Sequence, residues 1–297
     1  MKDFFLPYLP LLRGCLCSLF ILFLLVACRS GAEHDQSTDH QPHFLVINTF
    51  RIPVLATPDD QLVYARSAFE EIEEKSAALQ AIRVMHPTSR LHAAMADLEL
   101  AYLQLGTDYR QADDRQCAVA VEKYQAILRD YSDFPDIAAK ALWYLGWIAC
   151  DLQHDKHQGL KYFKEIVDKF PREIVTFLPP APWLTIRPTI ESIEPQPFFP
   201  TSPLTWEALA HLEIIRHSEN SKEAWQSFFA ISEMHDSDGL TGLALKTLVN
   251  THGFTSGAEL QIRKYLAYNT ADKDLRDDLL LALTDYLRHT SLETGTR

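Results

Sequence analysis

Val121–Tyr131 reads VEKYQAILRDY, and Leu160–Phe170 reads LKYFKEIVDKF. Laid over one another, Tyr124 meets Phe163, Ile127 meets Ile166 and Tyr131 meets Phe170, all at an offset of 39 residues. Apolar positions three and four apart mark one face of an amphipathic helix. Pro171 follows the second copy directly, where a proline stops a helix. The same face returning at a fixed interval predicts stacked like units, each unable to bury its apolar side alone.

Working outward, each copy is preceded by another helical pattern. Leu142, Leu145, Gly146 and Ala149 precede the second, and Gly159 supplies a small residue where two helices cross. Met95, Leu98 and Tyr102 precede the first and lead to Ala120 and Tyr124. Between them the polar stretch Thr107–Gln116 must be absorbed in a turn. These large, small and aromatic positions resemble the tetratricopeptide repeat, with one residue inserted relative to its pattern of roughly 34. The resemblance implies an all-α, tetratricopeptide-like α-solenoid of antiparallel helix pairs. A non-repetitive helical bundle is the alternative. Weaker copies follow at Trp206, Leu209 and Ala210 with Ala224, Phe228 and Ile231, and at Leu243–Val249 with Ala258, Ile262 and Tyr265. Asp274–His289 carries Leu275, Leu279, Leu283, Tyr286 and Leu287 along one side. It reads as the terminal capping helix that a solenoid requires.

Toward the N-terminus, Leu91, Ala94, Leu98, Ala101 and Leu105 carry the helical spacing, as do Leu62, Ala65, Phe69 and Ile72. Thr57-Pro58-Asp59-Asp60 predicts a helix start, with Thr57 as cap, proline at the first position and acids in the first turn. Phe44–Val54 is short and rich in strand-forming residues. It reads as a strand or an extended segment packed on the first helix. Residues 172–203 break the helical pattern with eight prolines. Trp183, Phe198 and Phe199 make that segment unusually apolar, so it is either a strap packed on the array or an exposed binding loop.

At the start of the chain, Cys15–Ala27 is an apolar run of 13 residues interrupted only by Ser18. A bilayer span takes about 20 residues, whereas this length suits the apolar core of a signal peptide. Lys2 and Arg13 add positive charge, and Pro7 and Pro10 oppose a longer helix. Leu25-Val26-Ala27-Cys28 closes the run and resembles the lipobox of bacterial lipoproteins. That resemblance implies cleavage before Cys28 and lipid on its sulfur. An uncleaved membrane helix and ordinary secretion are the alternatives. Arg29 stands where enterobacterial lipoproteins retained at the inner membrane carry Asp, which implies the periplasmic face of the outer membrane. Arg29–Pro42 reads as a flexible tether. The expected organisation is therefore a signal peptide over 1–27, a tether over 28–43 and a helical repeat region over 44–171. A proline-rich segment over 172–203 and a second repeat-like region over 204–297 complete it.

Cleavage leaves 26 basic and 39 acidic residues, a net charge of −13. Nucleic acid needs a basic footprint, so this balance argues against it. It equally disfavours electrostatic adhesion to anionic lipid and leaves anchoring to acyl chains. The sequence holds no Gly-rich phosphate loop, no Gly-x-Ser-x-Gly elbow and no His-Glu-x-x-His. His154 and His157 fall in a predicted turn and read as a solvated loop rather than a metal pair. No catalytic residue, metal or cofactor is expected. Tyr102, Tyr144 and Trp147 are candidates either for a partner-binding groove or for the core, and Trp183, Phe198 and Phe199 are further candidate contacts. Cys117 and Cys150 are equidistant from the predicted turn at Ser132–Pro135. Antiparallel helices would set them face to face, and helix rotation decides between a disulfide and two buried thiols. The aromatic-proline endings within 91–171 resemble BamD-like envelope lipoproteins, which help fold and insert outer-membrane β-barrels, and periplasmic proteins of the Tol-Pal system. The resemblance implies a noncatalytic scaffold holding an envelope protein partner. A structural subunit of a secretion or motility machine and a regulator of peptidoglycan enzymes are the alternatives.

Overall fold

The computed structural model describes residues 43–67, 71–106, 108–175, 203–235, 239–268 and 273–294, with side chains as far as residue 288. Residues 1–42, which hold the expected signal peptide, Cys28 and nearly all of the expected tether, lie outside these residues, as do Phe69, Trp183, Phe198 and Phe199. The described chain is predominantly helical, as its periodicity predicts. It opens with β1 (Phe44–Ile47) and β2 (Phe50–Pro53), followed by α1 (Pro58–Arg66), α2 (Ile72–Met85), α3 (Arg90–Leu103) and α4 (Asp114–Asp130). Next come α5 (Pro135–Trp147), a π-helical turn over Ile148–Leu152, α6 (Lys156–Lys169), α7 (Trp206–His217) and α8 (Ser221–Met234). The last three are α9 (Gly239–His252), α10 (Ser256–Tyr268) and α11 (Lys273–Thr294).

Local chemistry explains several of these boundaries. Thr57 caps α1 as its sequence predicts: Oγ1 accepts the Asp60 N–H at 3.1 Å, and Pro58 opens the helix. Asp113 and Gln116 form a reciprocal capping box at α4, with bonds of 2.7 and 2.9 Å. That box ends the polar stretch between α3 and α4. The strands form an antiparallel hairpin in which Asn48 and Thr49 take φ of 49° and 77°, the twist that two-residue hairpin turns favour. Leu45, Ile47, Phe50 and Ile52 point inward. The hairpin packs on α2, the second helix, rather than on the first.

The even-numbered helices share one buried triplet at i, i+4 and i+7. It is Ala120, Tyr124 and Ile127 in α4, and Gly159, Phe163 and Ile166 in α6. In α8 it is Ala224, Phe228 and Ile231, and in α10 Ala258, Ile262 and Tyr265. Ala78, Ile82 and the half-buried Met85 repeat it in α2. Every helix packs on the next in sequence, and α1, α3, α5, α7, α9 and α11 also touch one another in order. One apolar core runs from Ala94 to Leu283, and a smaller one lies under the hairpin, with Met95 packed against both.

The helical stack is not interrupted between α6 and α7, contrary to the sequence expectation. Those helices pack directly on each other. The Val175 N–H donates to the Leu204 carbonyl and the Trp206 N–H to the Glu173 carbonyl, both at 2.9 Å. The chain thus leaves after Val175 and returns beside it. Trp206, fully buried, donates from Nε1 to Asp136 Oδ1 at 2.6 Å and fastens α7 to the start of α5. Excising residues 177–201 and closing the gap with a short Gly-Ser turn distinguishes the two readings of this segment: as an exposed loop its loss is expected to change stability by only about 1 kcal/mol, because shortening a loop alters its closure entropy slowly. Urea unfolding checks this; loss of the cooperative transition would show that the segment is a strap the core requires.

Candidate functional site

Two of the three aromatic candidates for groove or core, Tyr144 and Trp147, lie in the core. Tyr144 and Trp147 are 4% and 2% exposed. Tyr144 stacks on Tyr124 with centroids 4.9 Å apart, and Trp147 lies parallel to Trp143 at 6.3 Å. Tyr109, in the 3-10 turn before α4, sits edge-on to Trp147 at 5.2 Å. Burial pushes the Tyr124 and Tyr144 hydroxyls well above their ordinary range. Tyr102 remains half-buried against this cluster, 5.9 Å from Tyr144. Burial and nearby Tyr109 raise its pKa to about 12.

Cys117 and Cys150 are free, buried thiols, so the disulfide alternative does not hold in this structure. Rotation of the helices decides it. Cys150 Sγ lies against Gly159 on α6: a Cβ added at that glycine would fall only 2.2 Å from the sulfur. Cys117 sits near the start of α4, where burial, Asp114 and Asp113 all raise its thiol pKa.

Beside Cys150 lies a charge cluster that sequence reasoning missed. Asp151, on the π turn, receives two bonds from Arg216 of α7: Nη2 to Oδ1 at 2.6 Å and Nη1 to Oδ2 at 3.1 Å. Glu213, also on α7, is fully buried and reaches Arg216 Nη1 at 3.4 Å through Oε2. His217 Nε2 stands 3.5 Å from Asp151 Oδ2 and 3.5 Å from Glu213 Oε2, distances of ion pairing rather than of short hydrogen bonds. Phe163 of α6 stacks on the imidazole, with centroids 6.4 Å apart. Burial opposes the imidazolium, but Asp151, Cys150 and Glu213 outweigh it and raise the pKa of His217 to about 11. Burial raises the pKa of Glu213 despite the two cations beside it. For Asp151 burial acts in the same direction, yet His217 and Arg216 prevail and lower its pKa. Two carboxylates facing two cations can lock the π turn to α7; a buried ionic lock of this kind restricts conformation more than it adds stability.

At the surface, Arg83, Pro87, Arg90, Ala93 and Tyr131 line a cleft of about 280 Å³. Its arginines are already engaged. Arg83 pairs with Asp97 and donates to the Tyr131 hydroxyl at 2.9 Å. Arg90 pairs with Asp133 at 2.6 Å and donates to the Asp130 carbonyl at 2.9 Å. His154, in the turn before α6, and His157, in the first turn of α6 rather than in the loop, are both exposed. Among the described residues, no group of three or more His, Cys, Asp or Glu is placed to hold a metal ion. No described helix is long and apolar enough to cross a membrane. Comparison with protein-family models, curated proteins and solved structures returns no match to this chain.

Proposed function

We propose that this chain is a lipid-anchored, tetratricopeptide-like scaffold that holds a protein partner in the bacterial cell envelope. The observation that carries the reading is the small-large-large triplet buried on α4, α6, α8 and α10, each packed between consecutive odd helices. Repetition of one packing unit is the mark of a solenoid, whose extended surface suits partner binding. The π turn at Ile148–Leu152 supports the repeat reading further. A π turn takes up one extra residue within a helix, and the second repeat carries one residue too many between its Gly146 and Gly159 positions. The aromatics of α5 serve the core, so partner contact falls to exposed side chains and to the segment between Val175 and Leu204.

The lipobox resemblance at Leu25–Cys28 supports anchoring at the periplasmic face of the outer membrane, with two acyl chains giving stable attachment. Cys28→Ser is expected to abolish incorporation of labelled palmitate and to release the protein from washed membranes. Retention of label by the variant would refute the anchor. In-cell crosslinking of a C-terminally tagged chain in the membrane fraction tests the scaffold itself. A reproducible envelope complex is the expected result, and its components would distinguish β-barrel assembly from secretion, motility or cell-wall synthesis. A monomer without specific crosslinks after gentle solubilisation would overturn it.

A further inference from the structure

The β1–β2 hairpin is apolar on both faces. Inward, Leu45 and Ile47 pack with Phe50 and the fully buried Ile52 over α2. Outward, Phe44 is 42% and Val46 63% exposed. Antiparallel sheets with one face in water ordinarily alternate apolar with polar side chains. This hairpin breaks that rule in its first strand. The register pairs Phe44 with Pro53 and Val46 with Arg51, so these four residues share the outer face. The Arg51 guanidinium lies 4.6 Å above the Phe44 ring. An exposed aromatic, a valine and one cation therefore cluster toward the open end of the hairpin. The turn end differs: Asn48, Thr49 and Phe50 join Glu71 and Glu73 around a cleft of about 470 Å³.

We propose that this outer face docks on the phospholipid surface, with Phe44 and Val46 entering the headgroup boundary and Arg51 meeting lipid phosphate. The proposal rests on the lipid anchor at Cys28. Position in the chain selects a lipid surface over a protein. Only residues 29–43 separate the proposed acylated cysteine from Phe44. Fifteen residues reach at most about 50 Å when extended and about 20 Å as a flexible coil. The hairpin is thus held beside the bilayer, and docking is an intramolecular step in which a small patch suffices. The net charge of −13 after cleavage repels the rest of the protein from an anionic surface. The outer face of the hairpin, by contrast, carries the cation Arg51 and no acidic side chain.

The test uses the full acylated chain in vesicles of phosphatidylethanolamine and phosphatidylglycerol. A Val46→Cys variant carries an environment-sensitive fluorophore, and a Leu260→Cys variant labelled in the same way on α10 serves as reference. The expected result is a blue shift at position 46, quenched by lipids bearing shallow nitroxides, with position 260 unchanged. Adding Arg51→Gln is expected to lower hairpin docking by roughly five-fold, since one basic residue near an anionic surface contributes about that factor. Mass spectrometry of the Cys28 peptide separates the two failures. An acylated chain without quenching at position 46 overturns the docking and leaves the anchor standing. A chain without acyl groups overturns the anchor, and the docking with it. Shielding of position 46 in native envelopes but not in protein-free vesicles assigns the face to a protein partner and overturns the lipid proposal.

Discussion

Gly159→Ala is expected to destabilise the protein by about 3 kcal/mol, the upper part of the range for overpacking a filled core. In an isolated helix the same change would stabilise by about 1 kcal/mol, because alanine loses less backbone entropy. The site reverses the sign. A Cβ at Gly159 would lie 2.2 Å from Cys150 Sγ and 2.8 Å from the Gly146 carbonyl oxygen. The sulfur has rotamers to use, but the carbonyl belongs to α5 and moves only if the two helices separate. Cys150→Ala should therefore rescue part of the loss and no more, which a double-mutant cycle would read as coupling between the positions. Gly257→Ala on α10 is the internal control: its added Cβ meets nothing closer than 3.6 Å, and no loss is expected. Urea midpoints for the parent and the four variants decide the matter. Gly159→Ala as stable as the parent would sink the account of a close α5–α6 crossing, and with it the reading of Gly159 as the small position of a repeat.

That glycine was visible in the sequence because its neighbours repeat. Gly159, Phe163 and Ile166 align with Ala120, Tyr124 and Ile127 at one offset, and no tertiary knowledge is needed to see it. The first helix pair was less legible. In α2 the triplet Ala78, Ile82 and Met85 is embedded among Ala77 and Ala81, both also buried, so an alanine-rich face hides the periodicity. The choice between groove and core for Tyr144 and Trp147 stayed open in the sequence for a different reason. Helical spacing places residues on a face but does not say whether that face is covered. The composition of α5 held the answer: Ile137, Ala138, Ala139, Ala141, Leu142, Trp143 and Leu145 leave it almost no polar side, and a helix that is apolar all round is buried. The cysteines illustrate a limit of symmetry arguments. Equal distance from a turn aligns two positions along a helix pair, while the π turn and helix rotation set the direction of Cys150. The continuity of the stack across residues 172–203 depends on the pairing of Val175 with Leu204, which no local pattern announces.

The charge cluster was the least legible feature, and its disruption carries the largest expected effect. Glu213, Arg216 and His217 stand at i, i+3 and i+4, a spacing typical of solvated helix surfaces; here Leu212, Ile214 and Ile215 beside them are buried as well. His217→Ala is expected to cost about 4 kcal/mol, because removing one partner of a buried ion pair leaves the other charge inadequately compensated. Glu213 bears most of that cost. It is fully buried, and among the described residues its Oε1 has no hydrogen-bond partner and its remaining cation is Arg216 at 3.4 Å. Glu213→Gln in the His217→Ala background should therefore recover much of the loss.

The pH dependence distinguishes this electrostatic role from simple packing against Phe163. The pKa of His217 rises from 6.5 to about 11 on folding, so its proton-linked stabilisation is complete below pH 6.5 and fades as pH rises toward 11. Asp151 works in the opposite direction. Its folded pKa lies below the ordinary 3.8, so its contribution is present above that value and lost as pH falls through the depressed one. Glu213, whose pKa burial raises, favours the folded state more when protonated and so offsets part of the Asp151 loss in acid. Unfolding measured between pH 6 and 10 should show parent stability declining with pH across the window, and a flatter profile for His217→Ala. His217→Phe keeps an aromatic ring against Phe163 without the charge. If it matched the parent in both midpoint and pH profile, the imidazolium would have no role in joining the π turn to α7, and stacking alone would account for the site.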